Sequence, residues 1–154
     1  MALSELSGTQ ASSWSSYQRM RAKLTGRLGR ELAREAGVSE ADFEILLALL
    51  ESPDDSVRAL SLRCGLEWEK SRLSHQLRRM EQRGLVVRDE CVEDNRGSVV
   101  RITDAGRALA LDAKRQHDQA VQRYVVSALS PAQLESLGEI AELILVGLDE
   151  PHRA

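Results

Sequence analysis

The chain has few aromatic residues, cysteines or prolines, and no long apolar run. Phe, Trp and Tyr together make up 3% of its 154 residues, so a core must be built from Leu, Val, Ile and Ala. The two cysteines, Cys64 and Cys91, lie far apart with no CxxC or Cys/His spacing. That excludes a disulfide scaffold or zinc module and leaves two expected free thiols. No apolar stretch approaches the ~20 residues that span a bilayer, and residues 1–20 lack a basic start followed by an apolar core. The expectation is a cytoplasmic chain with no membrane partner. No repeat or low-complexity linker interrupts it, so residues 1–154 read as one domain. Also missing are a metal-ligand cluster, a phosphate-binding glycine loop and a nucleophile with a recognisable His partner. His75, His117 and His152 are scattered, so neither an enzyme nor a metal or cofactor is expected.

What is present is helical periodicity. Tyr17, Met20, Leu24, Leu28 and Leu32 recur at three- and four-residue steps within a helix expected over 12–36 and closed by Gly37. Arg19, Arg21, Lys23, Arg27 and Arg30 fill its other faces. Ser39 opens a second helix, with Asp42 three residues on as a variant of the capping box. Phe43, Ile45, Leu46, Leu47, Leu49 and Leu50 make that helix apolar on more than one side, as a central core helix is. Residues 52–56 read as a turn, 58–64 as a short helix with Gly65 as its corner, and 69–83 as a helix with Leu73, Leu77 and Met80 inward. After Gly84 the period changes from 3.6 to 2, and residues 85–91 and 98–102 read as a hairpin around a polar tip. Thr103 caps a long helix to residue 129. Ser130, Pro131 and Gln133 open the last one, striped by Leu134, Leu137, Ile140, Ala141, Ile144, Leu145 and Leu148. The fold class is mainly α with a small β-hairpin wing: a winged helix-turn-helix over 39–103, flanked by dimerisation helices over 12–36 and 104–149.

A net charge of −3 weighs against a nucleic-acid partner only if the charge is evenly spread. It is not. Between Lys70 and Arg88 stand Lys70, Arg72, Arg78, Arg79, Arg83 and Arg88 against Glu81 alone, six minus one giving +5 in the helix that would meet phosphates. Ser71, Ser74 and His75 add short polar groups suited to base edges or phosphate oxygens. A basic helix, a glycine stop and a winged hairpin in this order point to double-stranded DNA read in the major groove. Arg96, at the hairpin tip beside Gly97, suits a minor groove narrowed by A·T sequence. A winged helix that docks on protein would instead present an apolar or acidic face.

These stretches resemble the MarR (multiple antibiotic resistance regulator) family. The matching segments are Asp42-Phe43-Glu44-Ile45-Leu46, residues 70–81 with Arg83-Gly84-Leu85-Val86, Glu93-Asp94-Asn95-Arg96-Gly97, and Ile102-Thr103-Asp104-Ala105-Gly106. The resemblance implies a homodimeric DNA-binding transcription regulator, commonly a repressor on a palindromic operator. It assigns DNA contacts to Lys70, Ser71, Arg72, Ser74, His75, Arg78, Arg79 and Arg88 and to the wing residues Asp94, Asn95, Arg96 and Gly97, with Asp94 pairing a neighbouring Arg. It further implies a small aromatic or anionic effector in a cleft for which Trp14, Tyr17, Arg21, Phe43 and His117 are the candidates. A redox-sensing alternative would use Cys64 or Cys91. The chain departs from the family at Arg63 and Glu67, where a small residue and a glycine are more usual.

Overall fold

The computed structural model describes residues 5–90 and 97–149. Helix α1 (Gly8–Ala36) is followed by α2 (Glu40–Glu51), strand β1 (Ser56–Arg58), α3 (Ala59–Leu66), α4 (Lys70–Gln82), β2 (Val86–Glu90), β3 (Ser98–Ile102), α5 (Asp104–Tyr124), a 3-10 turn (Val126–Ala128) and α6 (Pro131–Asp149). By internal contacts the chain divides into residues 1–117 and 118–154.

In the first unit the core gathers around α2. Ile45, Leu46 and Leu49 are fully buried among Val38, Leu62, Leu77, Met80, Val86 and Val100, as expected of a helix apolar on several sides. Leu73, Leu77 and Met80 carry the buried stripe of α4. Each such burial is worth roughly 2 kcal/mol, so packing rather than helix propensity holds α4 in place. The capping box at Ser39 is complete: the Asp42 N–H donates to Ser39 Oγ (3.0 Å) and the Ser39 N–H to Asp42 Oδ2 (3.2 Å). A matching pair joins Ser130 and Gln133 at the start of α6.

Four expectations are corrected. The sheet has three strands in the order β1-β3-β2, with β1 falling where a turn running into a short helix was expected. Val57 pairs with Val100 and Arg58 with Val99, so β3 is the central strand. Second, α1 begins at Gly8 rather than Ser12, because Ser7 and Gln10 form a capping box of their own. Third, α5 stops at Tyr124 and gives way to the 3-10 turn before residue 129.

The corner after α3 also lies at Glu67 rather than at Gly65. Gly65 is inside the helix, and Glu67 takes φ +55°, the left-handed conformation that glycine adopts without strain. A non-glycine residue there costs about 1 kcal/mol, which glycine removes at a smaller expense in chain entropy. Glu67→Gly is therefore expected to raise stability by about 0.5 kcal/mol. A fall in the urea midpoint of this variant would contradict the strain.

The junction between sheet and α5 is tight. The Thr103 hydroxyl donates to the carbonyl of Gly84 (2.6 Å), the Thr103 N–H to that of Leu85 (3.1 Å), and Thr103 Oγ1 accepts from the Gly106 N–H (3.0 Å). Thr103 thus caps α5 as its sequence indicates and also ties it to the chain leaving α4. A Cβ on Gly106 would lie 2.1 Å from the Leu85 carbonyl oxygen.

Leu32 is the buried residue of α1, while Trp14, Tyr17 and Met20 are exposed. In the second unit α6 is exposed throughout, with Leu143 at 76% and Leu148 at 67%. Along the α1 stripe Leu24 and Leu28 are half-buried and Leu32 buried, so this single chain leaves only the Tyr17 and Met20 end of it and the whole α6 stripe uncovered. Among the described residues no helix is long and apolar enough to cross a membrane.

Candidate nucleic-acid interface

With Leu73, Leu77 and Met80 turned inward, helical geometry turns Ser71, His75, Arg78 and Gln82 outward at steps of four, three and four residues. All four are exposed, as are Lys70 and Arg79 beside them, whereas Ser74 is half-buried. Among the described residues, Lys70, Arg78 and Arg79 form no ion pair.

The other three cations of the segment have partners within the fold. Arg83 Nη1 donates to Asp42 Oδ2 at 2.7 Å, and Arg88 Nε donates to Glu81 Oε1. Arg72 lies over Trp68, its guanidinium carbon 3.9 Å from the ring centroid, with Trp68 itself buried. Across from it on α2, burial pushes the Glu44 carboxyl above the ordinary range; the neighbouring Glu40 charge adds to this and Arg72 opposes it.

Asp42 organises this side of the site. Only 4% exposed, it accepts from Gln76 Nε2 (2.6 Å) and Arg83 Nη1 (2.7 Å) while closing the α2 capping box. One buried carboxylate therefore joins the start of the central helix to two positions on α4. The sequence reading found its capping role and missed its tie to α4; the available signal was an acid set directly before the apolar run Phe43 to Leu46. Trp68 was missed as well; it stands before the α4 cap residue Glu69, outside any helical period, and only folding sets its ring beneath Arg72.

Of the expected wing contacts, Asp94, Asn95 and Arg96 lie outside the described residues. Gly97 is exposed with φ +86°, a conformation that suits glycine at the edge of a hairpin tip. The wing strands are crossed by an Arg101–Asp89 pair at 3.5 Å. The expected effector residues fall into two ring pairs, Trp14 with Tyr17 (centroids 5.3 Å apart) and Phe43 with His117 (4.9 Å). Phe43 belongs to the core, the first pair is exposed, and Arg21 is exposed on α1. An open groove of about 470 Å³ runs elsewhere along α1, lined by Ala22, Lys23, Gly26, Arg27 and Arg30. Cys64 is an exposed free thiol, and Cys91 lies outside the described residues. Among the described residues no three His, Cys, Asp or Glu side chains gather as a metal site would need.

Comparison with known proteins agrees with this geometry. A model of the MarR family matches residues 30–97. The chain is similar to Sco3205, a MarR family transcriptional regulator from Streptomyces coelicolor whose crystal structure is a complex with DNA. The two are 34% identical with a TM-score of 0.90 over 99% of this chain and 95% of that one. It is also similar to AbsC, a MarR family transcriptional regulator from the same organism, at 31% identity and a TM-score of 0.87 over 95% of this chain and 98% of that one. Among curated proteins it is 25% identical over 91 residues to the HTH-type transcriptional regulator YdgJ of Bacillus subtilis, covering 59% of this chain. There the chain spans about half the length of its relative, 54%.

Proposed function

The chain belongs to the MarR family of transcriptional regulators, and from that premise we propose that it represses transcription as a homodimer bound to a palindromic operator. In this reading α4 enters the major groove, the wing puts Arg96 into the adjacent minor groove, and half-sites lie about one helical turn, ~34 Å, apart. The observation that carries it is the exposure of Lys70, Arg78 and Arg79 on α4, none of them in an ion pair among the described residues, in a chain whose net charge is −3. The similarity to a regulator solved with DNA supports the same reading. Such a protein works in the cytoplasm.

Selection of bound duplexes from a random pool, followed by sequencing, tests this directly. A palindrome with the stated spacing is expected, bound with an affinity that falls steeply as salt rises and counterions are no longer released at a gain. A folded chain that enriches no motif at low salt would overturn operator reading and favour a protein partner. On the selected operator, Arg96→Ala is expected to weaken binding about tenfold, within the usual worth of an inserted arginine. Binding as tight as wild type would mean that the wing does not insert that side chain.

The dimer reading rests on the exposed Trp14, Tyr17 and Met20 of α1 and on the uncovered stripe of α6. A surface of this kind is costly to leave in water and suits a symmetric partner. Ile140 and Ile144 are each 55% exposed, and Ile140→Glu with Ile144→Glu is expected to convert a dimer to a monomer in sedimentation. A variant that still sediments as a dimer would put the interface elsewhere. We further propose a small anionic or aromatic effector, for which Trp14, Tyr17, Arg21, Phe43 and His117 remain the candidate contacts.

A further inference from the structure

A cation suits a DNA phosphate when the fold exposes it, leaves it without an acid and sets it beside an element that enters a groove. Arg58 has all three properties and lies outside α4. It is exposed and forms no ion pair among the described residues, and its side chain makes no capping bond to α3. The register of the sheet fixes its position. Strand β3 leaves the wing tip after Gly97, and β1 runs antiparallel to it, with Ser56 beside Arg101, Val57 beside Val100 and Arg58 beside Val99. Arg58 is therefore the tip-side end of β1. With paired residues ~5 Å apart and a rise of ~3.4 Å per residue, its Cα lies on the order of 8 Å from that of Gly97. The face is fixed as well. Val100 is buried and Val57 is its partner, so alternation along the strands turns Arg58 and Arg101 to the opposite, outer face. Asp89, beside Val99, shares that face, but its carboxylate stands 3.5 Å from Arg101 Nε and is engaged there.

We infer that Arg58 binds a backbone phosphate on the ridge between the major groove read by α4 and the minor groove entered by the wing. This inference rests on the DNA-binding reading above and adds a residue to it. Strand β1 belongs to the wing sheet and leads directly into α3, which leads into α4, so Arg58 stands where the two groove-reading elements join. With one element in each of two adjacent grooves, the chain that joins them crosses the DNA backbone between those grooves. The minor groove is only ~6 Å wide, so a residue one strand away from the wing meets its wall. An arginine side chain spans that distance, and its planar fork of donors matches phosphate oxygens. Such a contact positions the protein without reading sequence. Arg101 is paired with Asp89 and lies farther from the tip, so it does not share the role. The sequence places Arg58 at the start of a helix; only the pairing of β1 with β3 sets it beside the wing.

The test is equilibrium binding of the full chain to the selected operator and to a duplex of unrelated sequence, across a salt series, with thermal melts as a folding control. Both altered side chains are exposed, so the core is preserved. Arg58→Ala is expected to weaken binding to the two duplexes by the same factor, about three- to tenfold, and to reduce the log–log salt slope by about one. Arg58→Lys keeps the charge and should return the slope to that of wild type. Arg101→Ala is expected to stay within about twofold of wild type on both duplexes, with its slope unchanged.

An unchanged slope in Arg58→Ala would overturn the inference while leaving DNA binding intact, as would a loss confined to the operator, which would make Arg58 a reader of bases. A loss in Arg101→Ala as large as that in Arg58→Ala would overturn it too, since the charge of the sheet rather than the place of Arg58 would then be the cause. A wild-type chain that binds neither duplex overturns the DNA-binding reading and this inference with it.

Discussion

Gly106→Ala is expected to destabilise the protein by about 3 kcal/mol and to lower its melting temperature by roughly 10 °C. Two effects oppose each other. Alanine is the better helix former, by up to about 1 kcal/mol in a helix interior. Against that, the new methyl would sit 2.1 Å from the Leu85 carbonyl oxygen and 3.0 Å from both the Leu85 carbonyl carbon and Ile102 Cγ1. Those neighbours have no easy retreat. The Leu85 carbonyl accepts from the N–H of Thr103 at 3.1 Å, and the Leu85 N–H donates to the Met80 carbonyl at 3.0 Å. Moving the carbonyl breaks the cap of α5 and disturbs the last turn of α4 together, so overpacking outweighs propensity. A melt at or above that of wild type would show that the junction yields cheaply.

The second large effect is expected at Asp42. Asp42→Ala removes the return arm of the α2 capping box and leaves the Gln76 amide and the Arg83 guanidinium without their acceptor. Loss of a fully buried ion-pair partner costs about 3–5 kcal/mol. The Arg83 side chain is 43% exposed, however, and water can take over part of its charge. Discounted for that screening, a loss of about 2–3 kcal/mol is expected in urea unfolding. Asp42→Asn keeps one acceptor oxygen but turns an N–H2 donor toward either the Gln76 amide or the Ser39 N–H and Arg83, and should cost about 2 kcal/mol. Because Arg83 and Asp42 act as a pair, Asp42→Ala combined with Arg83→Ala should cost less than the sum of the two single changes. An Asp42→Ala variant within about 0.5 kcal/mol of wild type, the range of ordinary surface changes, would mean that the tie between α2 and α4 holds nothing together.

Much of the fold was legible because its signals are local. The buried stripe of α4 follows from Leu73, Leu77 and Met80 at helical spacing, and the caps at Ser39, Thr103 and Ser130 from side chains that bond within three residues. Strand β1 was not legible, since three residues carry no period and pairing with β3 alone defines it. The turn at Glu67 was misplaced onto Gly65 because residue preference was followed where helix packing overrode it.

By itself the sequence determined the order of elements, the face of α4 that is buried and the concentration of positive charge beside it, because periodicity and composition are properties of a chain read locally. Only the tertiary structure decided which of those charges meet a partner within the fold. Arg83, Arg88 and Arg72 are engaged by Asp42, Glu81 and Trp68, and two of these three partners come from outside α4. A charge count along the chain sums cations wherever they point. Folding brings acids and rings from other segments within a few ångströms, where Coulomb attraction and ring contact act, and it leaves Lys70, Arg78 and Arg79 exposed and without an ion pair among the described residues.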